Sequence, residues 1–350
     1  VFFLRTPDDA VSLREKVDSG EIKRAVIVGG GFIGLEAAEN LAAQGVKVSV
    51  IDFAPYVLSE LLDPECCAYV EAKMADAGVM PFTGVALEGI IGNGKVEKVL
   101  TSRRPMKADA VLLAMGNRPN TEFLADSGLE MFKGTLLVDG DMRTNDPDIY
   151  AVGDCALVTN RVTGQRQWSA MGSTANITGR LAATRIAGET GPSYPGVLGT
   201  GVAKLPGVSM GRTGLTEVAA KKAGFNVETI VVAADDKAHY YPGSEKMMMK
   251  LICDRDTHKL LGMQTLGNGA VDKMTDIAVT AISMGAALEE LQSCDFAYAP
   301  PFSTAIHPFA VAVNALLNKL SGKLESFTPA QYAAGEAEDY TMLDVSIQPA

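Results

Sequence analysis

The glycines at Gly29-Gly30-Gly31-Phe32-Ile33-Gly34 are spaced GxGxxG. Gly29 permits a tight turn, Gly31 lets the backbone approach a pyrophosphate, and Gly34 lets a following helix pack on the preceding strand. A pyrophosphate would lie against that helix's N terminus, where unpaired N–H groups and the helix dipole favour an anion. Asp52 stands 18 residues beyond Gly34. A carboxylate there can accept hydrogen bonds from a ribose diol and would repel a 2′-phosphate, so the expected cofactor is NAD(H) rather than NADP(H). GxGxxG alone is weak, because glycine-rich turns also serve purely structural ends. Here strand, glycines, helix, strand and acid follow in order.

The elements that must hold these residues are legible in the apolar pattern. Residues 25–28 and 47–51 read as strands, and residues 32–44 as a helix stopped by Gly45. A short helix is expected over 13–17. Asp63 is placed as an N-cap with Pro64 at the first helical position and Gly78 past the end. Residues 90–96 read as a hairpin turning at Asn93-Gly94. Residues 110–114 form another buried strand. Beyond residue 144 the pattern becomes strand, loop and a helix from about 171 to 186. After the Gly/Pro-rich stretch 191–201, strands at 229–232 and 247–252 alternate with helices at 270–284 and 309–320. The last thirty residues are thinner in apolar side chains and read as a linker.

Three further motifs accompany the glycines: Ala114-Met115-Gly116-Asn117-Arg118-Pro119-Asn120; Thr144-Asn145-Asp146-Pro147-Asp148-Ile149-Tyr150-Ala151-Val152-Gly153-Asp154; and Tyr298-Ala299-Pro300-Pro301-Phe302-Ser303. With them the chain resembles the pyridine nucleotide-disulfide oxidoreductases over about residues 1–325. The tyrosine motif points to the branch of coenzyme A disulfide reductases, NADH oxidases, NADH peroxidases and persulfide reductases. The resemblance implies an α/β fold with a Rossmann-type NAD-binding domain, part of an FAD-binding fold and an α+β dimerisation domain. The implied boundaries are 1–20 for the end of a first FAD segment, 21–120 for NAD, 121–192 for the second FAD segment, 193–322 for dimerisation, and 323–350 for a linker. Tyr340-Thr341-Met342-Leu343-Asp344-Val345 is similar to the first strand of a rhodanese domain, and a disordered tail fits equally.

Residue by residue, the resemblance assigns Gly116 to the segment closing the NAD domain and Gly153 and Asp154 to the flavin ribityl chain. On the residues alone, Asp154 follows an apolar strand and could accept from a polyol hydroxyl or simply cap a helix. Ala170, Met171 and Gly172 would face the flavin ring, their N–H groups stabilising negative charge on reduced flavin. Phe32 stands where the family often has a gating Tyr, with Ile33 beside it. Glu36 would lie near the nicotinamide or flavin ring; the alternative is a solvated carboxylate. Tyr240 and Tyr298, 58 residues apart, resemble segments that bring phenols to the partner subunit's cysteine. Tyr241 is the less favoured neighbour, and packed aromatics are the plain alternative.

The family pattern is incomplete in this sequence. There is one GxGxxG where the family has two, and the redox cysteine that follows the first has no match, so the chain reads as N-terminally truncated. Cys66, Cys67, Cys155, Cys253 and Cys294 lack CxxC spacing and are assigned neither redox nor metal work. His307-Pro308 resembles the His-Pro base of some disulfide reductases but is expected to be structural. The net charge of -11 argues against nucleic acid. No apolar run nears the ~20 residues of a membrane span, and a cytoplasmic homodimer is expected. The implied activity is hydride transfer from NADH to FAD and on to a small-molecule disulfide or persulfide such as coenzyme A disulfide. The alternatives are an NADH oxidase or peroxidase, or a catalytically incomplete NAD-binding dimer.

Overall fold

Thr6 and Asp9 cap one another's backbone: the Thr6 hydroxyl accepts from Asp9 N at 3.3 Å and the Asp9 carboxylate from Thr6 N at 2.8 Å. This reciprocal box starts helix α1 at once, over Pro7–Asp18, so the helix is longer than the 13–17 expected from apolar spacing. The computed structural model describes residues 1–341 and 343.

Strand β1 (Arg24–Val28) leads through α2 (Phe32–Ala43) to β2 (Lys47–Ile51), and α3 (Pro64–Asp76) leads to β3 (Met80–Phe82). A small antiparallel sheet of β4 (Leu87–Ile91), β5 (Lys98–Thr101) and β6 (Met106–Lys107) intervenes. The β4–β5 connection is longer than the two-residue turn expected at Asn93-Gly94. The chain then re-enters as β7 (Ala110–Leu113), giving the parallel order β3-β2-β1-β7. Strand order reverses between β1 and β7, and the carboxyl ends of strands at such a switch point form the crevice where dinucleotides bind. Val26, Ile27, Val50, Ile51 and Val111 are buried, as strands covered on both faces require.

A second sheet follows from β8 (Met131–Phe132), β9 (Thr135–Leu137), β10 (Ala156–Thr159) and β11 (Arg166–Trp168), with α4 (Gly172–Ile186) after it. Leu136, Val138, Ala156, Val158 and Ala182 form its core.

The last unit is a five-stranded antiparallel sheet ordered β12-β13-β16-β15-β14, from β12 (Gly201–Leu205), β13 (Val208–Gly214), β14 (Val227–Asp235), β15 (Lys246–Asp254) and β16 (Leu260–Gly267). Short α5 (Glu217–Lys222) joins β13 to β14, and α6 (Val271–Met284), α7 (Leu288–Gln292) and α8 (Pro308–Leu320) follow. Met274, Ala278, Phe309 and Val313 pack on Met249 and Leu251. Leu205, Met210 and Leu266 instead join the core of Leu35, Ala38 and Met74, so β12, β13 and β16 are fused to the first unit.

Asp63 precedes α3 as expected but makes no side-chain cap. Its carboxylate is drawn into the seam between units, accepting from Gln264 Nε2 at 2.6 Å and Glu217 N at 3.0 Å. Among the described residues no helix is long and apolar enough to cross a membrane. The strand expected at 340–345 falls largely outside the described residues; Tyr340 itself donates to Glu325 at 2.7 Å.

Candidate functional site

Gly29 adopts φ +113°, and a Cβ on it would stand 2.2 Å from Ala114 O. A Cβ on Gly34 would meet Gly29 O at 2.0 Å. Both positions therefore require glycine, one for the turn against β7's exit and one for the helix on the turn. At Gly31 a Cβ would meet nothing within 4 Å. The backbone there borders open space at the start of α2, whose first turn has no side-chain cap and no acid. Its N–H groups are available to a pyrophosphate. Gly116, at φ +90°, lies just past the Ala114-Met115 segment that Gly29 abuts, also with open space around it.

Asp52 faces this turn. Its Oδ2 accepts from Gly30 N at 2.6 Å and its Oδ1 from Ala54 N at 2.8 Å. The acid expected to hold a ribose thus also braces the glycine loop, and its remaining lone pairs are what a diol could engage. Phe53 beside it is 83% exposed.

Phe32 and Met171 converge on Gly201: a Cβ there would meet Phe32 Cζ at 3.1 Å and Met171 Cε at 3.4 Å. The starts of α2 and α4 thereby both bear on β12. Met171 is the N-cap residue of α4, without a side-chain cap or an acid in the first turn, and Gly172 and Ser173 are exposed. Ala170 precedes it, half-buried. Gly153, at φ +66°, sits over Ala175, and its N–H reaches Thr178 Oγ1 at 3.4 Å. That contact places Asp154 beside α4. The Asp154 carboxylate is exposed and has no partner among the described residues; only its carbonyl is used, by Trp168 Nε1 at 2.7 Å. An uncapped helix start and a free carboxylate on adjacent segments suit a flavin ring and its polyol. Ile33 and Glu36 are exposed one turn apart on α2, bordering an apolar groove shared with Leu13 and Val17 of α1.

Tyr240 and Tyr298 fall on separate loops that a backbone hydrogen bond joins, Ala238 N to Pro300 O at 3.4 Å. Tyr240 and Tyr298 are well exposed, Tyr241 less so. Phe302 and Ile306 are exposed beyond them. His307 is instead buried. It caps α8, its Nδ1 accepting from Phe309 N at 3.2 Å, and its ring stacks on Phe296. Burial, helped by Lys273, pushes its pKa down to about 4, so it stays neutral and structural at ordinary pH.

Cys66, Cys67 and Cys253 are buried, and burial raises each thiol's pKa, to about 12 for Cys67 and Cys253. Cys155 donates to Val152 O at 3.2 Å, and Cys294 is exposed at the end of α7. Burial thus leaves Cys66, Cys67 and Cys253 without the lowered pKa that a redox thiol requires.

One feature escaped the sequence-based expectations. Lys250, 1% exposed, lies 2.6 Å from Glu65, 2.6 Å from Glu217 and 3.1 Å from Asp63. Burial alone would lower its pKa, but Asp63, Glu65 and Glu217 hold it above the usual lysine range. The available signal was a lysine inside the apolar run Met247-Met248-Met249-Lys250-Leu251-Ile252.

The profile of the pyridine nucleotide-disulphide oxidoreductases matches residues 1–179, and that of the family's dimerisation domain matches 205–310. The chain is 35% identical over 317 residues to the NAD(P)H coenzyme A polysulfide/persulfide reductase of Pyrococcus horikoshii, covering 90% of this chain and 71% of that protein. It is also 35% identical, over 323 residues, to an NADH oxidase of Methanocaldococcus jannaschii, covering 92% and 72%. The structure of an NAD-dependent persulfide reductase from A. fulgidus superposes with a TM-score of 0.89 at 34% identity, covering 93% of this chain. The chain spans 60% of the length of that structure.

Proposed function

Because this chain belongs to the pyridine nucleotide-disulphide oxidoreductase family, whose members use FAD and NAD(P)H, we propose that it serves a flavoenzyme that oxidises NADH and reduces a small-molecule disulfide or persulfide. Coenzyme A disulfide is the substrate we favour. A bound FAD would supply the two-electron redox chemistry that links nicotinamide to sulfur.

The protein's own groups position these partners. The open backbone at Gly31 and the uncapped start of α2 receive the pyrophosphate, and Asp52 accepts from the adenosine ribose while bracing Gly30. Gly116 borders the same crevice. Asp154, free of any described partner, accepts from the ribityl hydroxyls. The N–H groups opening α4 at Ala170-Met171-Gly172 stabilise negative charge beside the ring. Phe32 and Ile33 shield the nicotinamide side, and Glu36 lies on the same exposed face of α2. None of the five cysteines is assigned the thiol step. The protein acts as a cytoplasmic homodimer, whose interface takes up exposed Tyr241, Phe302 and Ile306.

The observation favouring a disulfide over oxygen is the joining of the Tyr240 and Tyr298 loops through Ala238 and Pro300, with both phenols exposed. A phenol donates to a leaving thiolate, a role that oxygen reduction does not need. In the flavin-loaded enzyme, Tyr240→Phe with Tyr298→Phe should slow reoxidation by disulfide and leave flavin reduction by NADH nearly unchanged. Equal slowing of both half-reactions, or of neither, would show that the tyrosines hold structure instead.

A further inference from the structure

The end of β2 is stitched to the neighbouring segment by Asp52 N to Phe82 O at 3.1 Å, Val85 N to Asp52 O at 2.8 Å and Gly84 N to Ala54 O at 2.7 Å. The turn between β5 and β6 is tied to that segment in turn, by Ser102 N to Ala86 O at 3.0 Å. It carries Arg103 and Arg104. The Arg103 Nη2 stands 3.3 Å from where a Cβ on Gly84 would be, and the Arg104 guanidinium lies 5.4 Å from the Phe82 ring centroid. Both arginines are exposed, and neither pairs with a carboxylate among the described residues, although the chain carries a net charge of -11. Across this edge, both oxygens of Asp52 already accept backbone N–H groups, which spreads its charge into the glycine loop and weakens its repulsion of a second anion.

We propose that Arg103, with Arg104 beside it, is a specificity-determining residue that lets this site take the 2′-phosphate of NADPH as well as the free ribose of NADH. The inference rests on the glycine loop being the nicotinamide dinucleotide site. A guanidinium presents a planar fork of N–H donors matched to two phosphate oxygens. A ribose held by Asp52 would carry its 2′-phosphate at the end of β2, the edge to which the turn bearing these two forks is tied through Gly84 and Ala86.

The test compares ADP-ribose with 2′-phospho-ADP-ribose by isothermal titration of the enzyme, which needs no turnover. Wild type should bind both. Arg103→Ala should weaken the 2′-phosphorylated ligand about tenfold or more, the usual loss for a charge-assisted hydrogen bond, with ADP-ribose changed less than about twofold. Arg103→Lys should fall between, and added salt should narrow the wild-type difference. A wild type that binds ADP-ribose but rejects its 2′-phosphate, or an Arg103→Ala protein with an unchanged affinity ratio, would overturn the inference alone. Failure of wild type to bind either ligand would overturn the dinucleotide reading beneath it as well.

Discussion

Phe32 and Met171 meet over one glycine: the ring of the first and the methyl of the second both lie within 3.4 Å of the point where Gly201 would carry a Cβ. Two helix starts, one expected to face nicotinamide and the other flavin, are thus held against the edge strand of the third unit. Gly201→Ala should displace one of the two side chains. The expected result is a several-fold slower flavin reduction by NADH, with thermal stability lowered by no more than about 1–3 kcal/mol, the usual cost of overpacking. An unchanged reduction rate in stopped flow would mean that this contact does not set the approach of the two rings.

Asp52 has two tasks in the structure where the sequence suggested one. Replacing it with Ala removes a ribose acceptor and also the brace on Gly30. ADP-ribose and its 2′-phosphate should therefore both bind more weakly, by about tenfold for ADP-ribose. Titration that finds ADP-ribose binding intact would remove Asp52 from the site.

Lys250 is buried among Asp63, Glu65 and Glu217, and Glu217 also pairs with the exposed Lys221. Lys250→Met leaves Asp63 and Glu65 without an ion-pair partner among the described residues and should cost about 3–5 kcal/mol at neutral pH. With the cation gone, a proton taken up by the buried carboxylates relieves uncompensated charge in the folded variant, so its deficit should shrink as pH falls toward 4. Denaturant titrations of wild type and variant across that range check this, and a deficit independent of pH would argue against the charge account.

Burial, with Lys273 nearby, holds the folded-state pKa of His307 at about 4, below the ordinary histidine value of 6.5. Between those values the unfolded chain binds more protons, so this residue's contribution to stability is complete above pH 6.5 and is lost as pH falls through 4. His307→Asn, which keeps a side chain able to cap α8, should flatten the stability slope in that window by up to about 1.4 kcal/mol per pH unit. An identical slope in the two proteins would contradict the burial argument.

Much of this was legible because it is local. The run from Ala25 through Gly34 to Asp52 combines a strand, a turn and a helix whose periodicities are short, and the structure places those elements within a residue or so. The Thr6–Asp9 capping box was also local and readable, but apolar spacing in α1 is thin, which hid the helix's first turn. The inward turn of the Asp52 carboxylate depends on where the 52–54 loop closes, and no spacing rule gives that. The Lys250 seam joins β15 to α3 and α5, segments far apart in the chain, so only the odd lysine in an apolar strand hinted at it. Ala238 and Pro300 likewise meet only through the fold.

The most direct test is an anaerobic double-mixing experiment on the flavin-loaded enzyme. NADH is added first, and coenzyme A disulfide or oxygenated buffer second, with flavin absorbance followed throughout. NADH should bleach the flavin, and the disulfide should restore its colour within turnover time, with two thiols released per NADH consumed and oxygen acting far more slowly. Fast recovery with oxygen and none with the disulfide would contradict the account and favour an NADH oxidase.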